Sequence, residues 1–356
     1  MNERTDRDGA PSAQRWFGRG RPPNVRLNLA LQGGGAHGAF TWGVLDTLLA
    51  DSSLGFEGLS GSSAGAVNAV VFADGWAKGG RDGAREALAE FWAAVGKQMP
   101  ASMVTAGEGD AIGLSPMSKM LASWAGYFSP SQLNPFQLNP LRDLLLRQVD
   151  FERLRDACPF KLFIGATHVN TGKLRVFREN ELSVDVLLAS ACLPTIHHAV
   201  EIDGETYWDG GYSANPAVFP LFYDCDSREV LLVLLSPLVR EGRLSQVDEI
   251  AARKLELAFS ANFMREMRMF VQAKEFSRPG FLRFGRLERR LHKMHFHMID
   301  ASGIASLHRT DTKMLAHGPF LDGLMQQGRD CAAAWLADHG AAVGQRSTVD
   351  LKQWFG

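Results

Sequence analysis

The chain has 356 residues, an apolar share of 46% and a formal net charge of −1, so it is globular in composition and carries no global field to recruit nucleic acid. No stretch reaches the ~18 uninterrupted apolar residues of a membrane span. Cys158, Cys192, Cys225 and Cys331 are widely spaced with no C-x-x-C pair, which argues against a disulfide framework and for reduced thiols in a cytoplasmic protein.

Residues 1–24 are expected to be a disordered basic tail. Up to Arg26 the chain holds six arginines against three acids, with Pro11, Pro22 and Pro23 and no apolar run of a secretory signal. One domain is expected from 25 to 356. Residues 25–31 read as a buried strand and 36–50 as a helix. A short strand at 56–60 leads to a helix over 66–77, and 84–95 repeats the helical pattern. Residues 97–140, rich in Ser, Pro, Gly, Met and aromatics, predict an insertion that acts as a lid or packs as a small irregular unit. A helix over 141–157 follows, then strands at 161–169 and 173–177 joined by Asn170-Thr171-Gly172. The segment 184–194 reads as a short helix stopped by Pro194, and 201–208 as a hairpin turning at Asp203-Gly204. A buried strand at 229–235, a long helix at 247–276, a strand at 294–300 and a helix at 320–338 complete an α/β fold with a largely parallel sheet.

Three segments carry chemistry. The first strand ends in Gly33-Gly34-Gly35-Ala36-His37-Gly38, where crowded backbone N–H groups suit an anion. Gly61-Ser62-Ser63-Ala64-Gly65 matches G-x-S-x-G between a strand and a helix, the sharp turn that exposes a nucleophilic serine. Asp209-Gly210-Gly211 follows an aromatic-capped strand; alone it reads as a hairpin turn, and beside the other two motifs as a general base. His292, His295 and His297 could complete a triad by chain order, but their alternation reads as a solvated edge strand, and no nearby ligand set completes a metal site.

These motifs in this order resemble the patatin-like phospholipase family, especially its bacterial members, from about residue 25 to the C-terminus. The resemblance implies a three-layer sandwich with a mostly parallel central sheet between helices, and a Ser–Asp dyad without a triad histidine. Ser63 is then the nucleophile and Asp209 the proton acceptor. The amides of Gly34, Gly35 and Ala36 would form the oxyanion hole, and neither metal nor organic cofactor is required. Where the family loop usually carries Arg or Lys this chain has His37, expected to titrate near neutrality.

The implied activity is ester hydrolysis on a lipid, a phospholipid acyl chain first, with a general carboxylesterase or thioesterase as the alternative on the same dyad. Two other classes compete. Gly33-x-Gly35-x-x-Gly38 fits a dinucleotide fingerprint, with Asp51 or Glu57 as the ribose acid. The other is a non-catalytic, membrane-associated scaffold: residues 278–293 hold six basic residues, one acid and the anchors Phe281, Leu282 and Phe284, which suits a solvated turn or peripheral contact with an anionic inner-membrane surface, the latter serving a lipid enzyme equally well. The sequence assigns no oligomeric state.

Overall fold

Alternation along β1, Arg26–Leu31, sends Leu27, Leu29 and Leu31 into one hydrophobic core and Ala30 into a second on the opposite face. The same division recurs in β7, Glu229–Leu234, where Leu231 and Val233 face the first core and Val230, Leu232 and Leu234 the second. A strand buried on both faces needs a helical layer on each side, so the domain is a three-layer α/β sandwich. The computed structural model describes residues 25–105, 112–118, 120, 132, 134, 138–240, 245–277 and 285–356. The predicted tail, most of 106–137 and the anchors Phe281, Leu282 and Phe284 lie outside these.

The other strands are β2 (Gly55–Gly61), β3 (Lys161–His168), β4 (Leu174–Phe177), β5 (Val200–Ile202), β6 (Glu205–Asp209) and β8 (His295–Asp300). Their order is β5-β6-β3-β2-β1-β7-β8, with β4 also paired to β3. Pairing is parallel from β3 through β8, and antiparallel for β6 on β3, β5 on β6 and β4 on β3. β1 lies between β2, next in the chain, and the distant β7. Its carboxyl end is therefore the switch point where open parallel sheets bind ligands. The glycine loop leaves the sheet there.

Helix α1 (Gly38–Ala50) follows the loop through a 3₁₀ turn at Gly35–His37. The two predicted helices follow one another in α2 (Ala64–Gly96) and are separated, as expected, by non-helical backbone at Gly79 and Gly80, the latter at φ 61°. The predicted helix over 141–157 is instead two, α3 (Pro140–Gln148) and α4 (Phe151–Ala157). Val149 turns extended, and the Asp150 side chain accepts the Arg153 N–H to start the second helix. Helix α5 (Val184–Ser190) stops four residues before Pro194, and α6 (Phe219–Asp224) was not predicted. The long α7 (Val247–Phe276) is as expected; α8 (Arg286–Lys293), α9 (Gly318–His339) and the short α10 (Leu351–Phe355) follow. Asp203 and Gly204, both at positive φ, make the tight hairpin turn between β5 and β6.

Candidate active site

The three motifs converge. Gly61 of β2 pairs with Ile164 of β3, and Ala166 of β3 pairs with Asp209 of β6, so register across β3 brings the ends of β2 and β6 to one level. Gly33 lies against the serine turn: a Cβ there would meet Ser63 Cβ at 2.8 Å and run into the Ser62 carbonyl. Only glycine allows this approach. Ser63 stands at the N-terminus of α2 with φ 54° and ψ −127°, a conformation rarely adopted by a residue with a side chain. Its N–H is held by the Ser190 carbonyl at 3.1 Å and the Ser190 hydroxyl at 3.0 Å, and that hydroxyl in turn donates to the Gly165 carbonyl at 2.6 Å. The Ser62 hydroxyl ties the same turn to the Ala214 carbonyl at 2.6 Å. Ala64 and Gly65 open α2, where the helix dipole favours negative charge at its start.

Asp209 is fully buried. Its Oδ1 accepts the Gly211 N–H at 2.7 Å, while the Thr167 hydroxyl and the Cys192 carbonyl hold its backbone. Burial pushes its carboxyl up to about 7, against the opposing pull of the Gly211 N–H, the Ser63 hydroxyl and Lys313. The Ser63 hydroxyl is near enough to stabilise the carboxylate, yet Oδ2 closes no full hydrogen bond. Gly210 and Gly211 pass beneath Ser62 and the Phe259 ring respectively, leaving no room for side chains.

In the glycine loop, the Gly33 N–H is taken by Asn215 Oδ1 at 2.7 Å, whereas no acceptor among the described residues takes the amides of Gly34 and Gly35. Gly35 has φ 60° and abuts the Lys313 carbonyl. Ala36 lies within the 3₁₀ turn and is buried.

His37 corrects an expectation. Its ring is completely buried and Nε2 lies 2.7 Å from the Thr312 hydroxyl. That hydroxyl spends its hydrogen on the Ser306 or Arg309 carbonyl, at 2.8 and 2.7 Å, so His37 Nε2 is the donor and Nδ1 is left unpartnered. Burial first, and Lys313 second, push His37 down to about 3. It is a neutral imidazole at physiological pH and does not titrate near neutrality. A His37→Arg variant should therefore lose stability, by roughly 3–5 kcal/mol for a charge placed unpaired in this site. Thermal melting of the two proteins measures it; an unchanged melting temperature would mean the site accommodates the cation.

The other candidates are engaged elsewhere. His295 and His297 bind the two oxygens of Glu229 at 2.7 and 2.9 Å; His297 is fully buried and His295 half-buried, so the pair is not a freely solvated edge. Glu57 accepts the Asp226 and Ser227 N–H groups at 2.6 and 2.8 Å and pairs with Arg26 and Lys161, so it is not poised for a ribose. Asp51 binds Ser53 in the turn after α1. Arg290 of the basic segment is turned inward, donating to the carbonyls of Phe222, Cys225 and Ser227. Among the described residues no group of three His, Cys, Asp or Glu side chains is placed to hold a metal, and no helix is long and apolar enough to cross a membrane. Ser190, within the predicted helix at 184–194, and Asn215 and Thr312, outside every predicted element, carry no sequence signal of these contacts.

A family model described as patatin-like phospholipase matches residues 29–222, which takes in the glycine loop, the serine turn and Asp209. The chain belongs to the patatin-like phospholipase family. Membership assigns it to the lipid acyl hydrolases in the general sense. Among solved structures, VipD from Legionella pneumophila aligns at a TM-score of 0.38 with 16% identity, over 87% of this chain and 67% of that one. No curated protein matches the chain.

Proposed function

We propose that this patatin-like protein hydrolyses carboxylic esters of lipids through a Ser63–Asp209 dyad. The observation that carries the reading is Ser63 held at φ 54° at the head of α2, beside a buried carboxyl whose Oδ2 has no other partner. Asp209 takes the Ser63 hydroxyl proton as the oxygen attacks the acyl carbonyl. The amides of Gly34, Gly35 and Ala36 receive the oxyanion, helped by the dipole of α2. Collapse breaks the ester C–O bond, and the alcohol leaves with the proton from Asp209. Water then repeats the sequence on the acyl-serine: Asp209 accepts its proton, the fatty acid departs and Ser63 is restored. Acyl chains of phospholipids are the substrates we favour. A thioester presents the same carbonyl, and release of acid from phospholipid, glyceride and thioester in parallel distinguishes them. Peripheral contact with an anionic membrane through 278–293, read from charge alone, would bring the enzyme to such a substrate.

Treatment with a fluorophosphonate probe, followed by mass mapping of the modified peptide, tests the nucleophile. The expected result is a single adduct at Ser63 that forms in step with loss of fatty-acid release. An adduct elsewhere, with Ser63 unmodified, would overturn the assignment.

A further inference from the structure

β1 runs out at Leu31, and the Gln32 N–H makes one more rung with β7, donating to the Val233 carbonyl at 3.1 Å. The Gln32 side chain carries on from there, its Oε1 accepting the Leu235 and Ser236 N–H groups at 2.6 and 2.9 Å. Gly33, the next residue, is held by a side chain in place of a strand. Asn215 Oδ1 accepts its N–H at 2.7 Å, and Asn215 Nδ2 donates to its carbonyl at 3.4 Å. One buried carboxamide thus meets both polar groups of one residue, and the Gly33 N–H decides which end of it is the oxygen.

The second bond reaches beyond Gly33. A trans peptide unit is planar, and its N–H points opposite to its C=O. The Gly33 carbonyl shares a unit with the Gly34 N–H, so holding that carbonyl against Asn215 sets where the Gly34 N–H points. The following unit is set in the same way: the Gly34 carbonyl accepts the His37 N–H at 3.3 Å, which fixes the Gly35 N–H. On the dyad and oxyanion hole proposed above, we propose that Asn215 is a positioning residue, clamping the Gly33 carbonyl so that the Gly34 N–H is aimed at the oxyanion. Its place in the chain adds to the effect. Asn215 closes the segment that starts at Asp209 and is folded on itself, the Ser213 and Ala214 N–H groups both donating to the Gly210 carbonyl at 3.0 and 2.8 Å. The Ala214 carbonyl takes the Ser62 hydroxyl, next to the nucleophile, at 2.6 Å. One short segment therefore touches the base, the serine turn and the amide loop, and keeps the three in register.

The test compares an ester with its thionoester, in which sulfur replaces the carbonyl oxygen. Sulfur is a weak hydrogen-bond acceptor, so the thionoester draws little from the amides while using the same serine and aspartate. Both substrates are assayed with the parent, Asn215→Leu, Asn215→Ser and Ser63→Ala. In Asn215→Leu the kcat for the ester is expected to fall about 10²-fold with KM nearly unchanged. The kcat for the thionoester should fall far less, so the ester-to-thionoester ratio collapses. Damage to the dyad or to the fold lowers both substrates together and leaves the ratio intact. A parental ratio in the folded Asn215 variants, while Ser63→Ala is inactive, would overturn the role of Asn215 alone. Full activity in Ser63→Ala would overturn the dyad and this proposal together. Should Asn215→Leu fail to fold, Asn215→Ser decides by the same ratio, since it removes the carboxamide without placing an apolar side chain against Gly33.

Discussion

Replacing Ser63 with glycine is expected to abolish ester hydrolysis and at the same time to stabilise the protein. In the proposed role of nucleophile, Ser63 is a residue whose removal costs on the order of 10⁵–10⁶ in kcat. Its backbone, at φ 54° and ψ −127°, lies where a Cβ is penalised by roughly 1–3 kcal/mol and glycine is not. Glycine gives back about 0.5–1 kcal/mol through the greater freedom of the unfolded chain. The Ser63 N–H bonds to Ser190 survive the change, since they involve only the main chain on that side. The balance is a gain of about 1 kcal/mol. Fatty-acid release and denaturant unfolding measure the two halves separately. Substantial turnover in Ser63→Gly would remove the residue from the chemistry; a less stable variant would show that the turn is unstrained in its surroundings.

The chemistry-bearing segments were legible because each is local. A serine forced into a left-handed turn between strand and helix needs small flanking residues, and so does a loop that offers free amides, so both write themselves as short contiguous strings. The sheet was legible through the apolar runs of β1, β3 and β7, whose double-sided burial the structure repeats. What stayed hidden is polar and distant. Asn215 meets Gly33 across 182 positions and Thr312 meets His37 across 275, in irregular segments where no periodicity announces a partner. His297 misled for the same reason: alternation marks it as half-exposed, and only the pairing of β8 with β7 puts Glu229 beside it. The break between α3 and α4 is marked by local polar contacts at Asp150, whose side chain caps α4 and whose N–H is held by Asp74, against continuous helical spacing in the sequence.

The second large effect belongs to Asp209→Asn. In the proposed role of proton acceptor the carboxylate is worth on the order of 10²–10⁴ in rate, and the amide cannot replace it. Asparagine keeps an oxygen to accept the Gly211 N–H, so the turn retains its shape. In the unfolded chain this carboxyl ionises near 3.8, and in the folded protein burial raises that to about 7. Between those values the folded state holds the proton more tightly than the unfolded state does, so the contribution is full below the ordinary carboxylate range and lost as pH rises through about 7. At about 1.4 kcal/mol for each unit of displacement, the loss amounts to a few kcal/mol. Asparagine does not ionise and escapes it. Asp209→Asn should therefore be far slower than the parent, more stable than the parent above neutrality, and close to it in acid. Its unfolding free energy should also lack the parent's decline across that interval. Parallel declines in the two proteins would place the burial cost on another group, and rapid turnover by the variant would exclude Asp209 as the base. On the proposed dyad, the ionised form of Asp209 that serves as base is also the form that weakens the fold, so the layers around it must supply the stability that its charge removes.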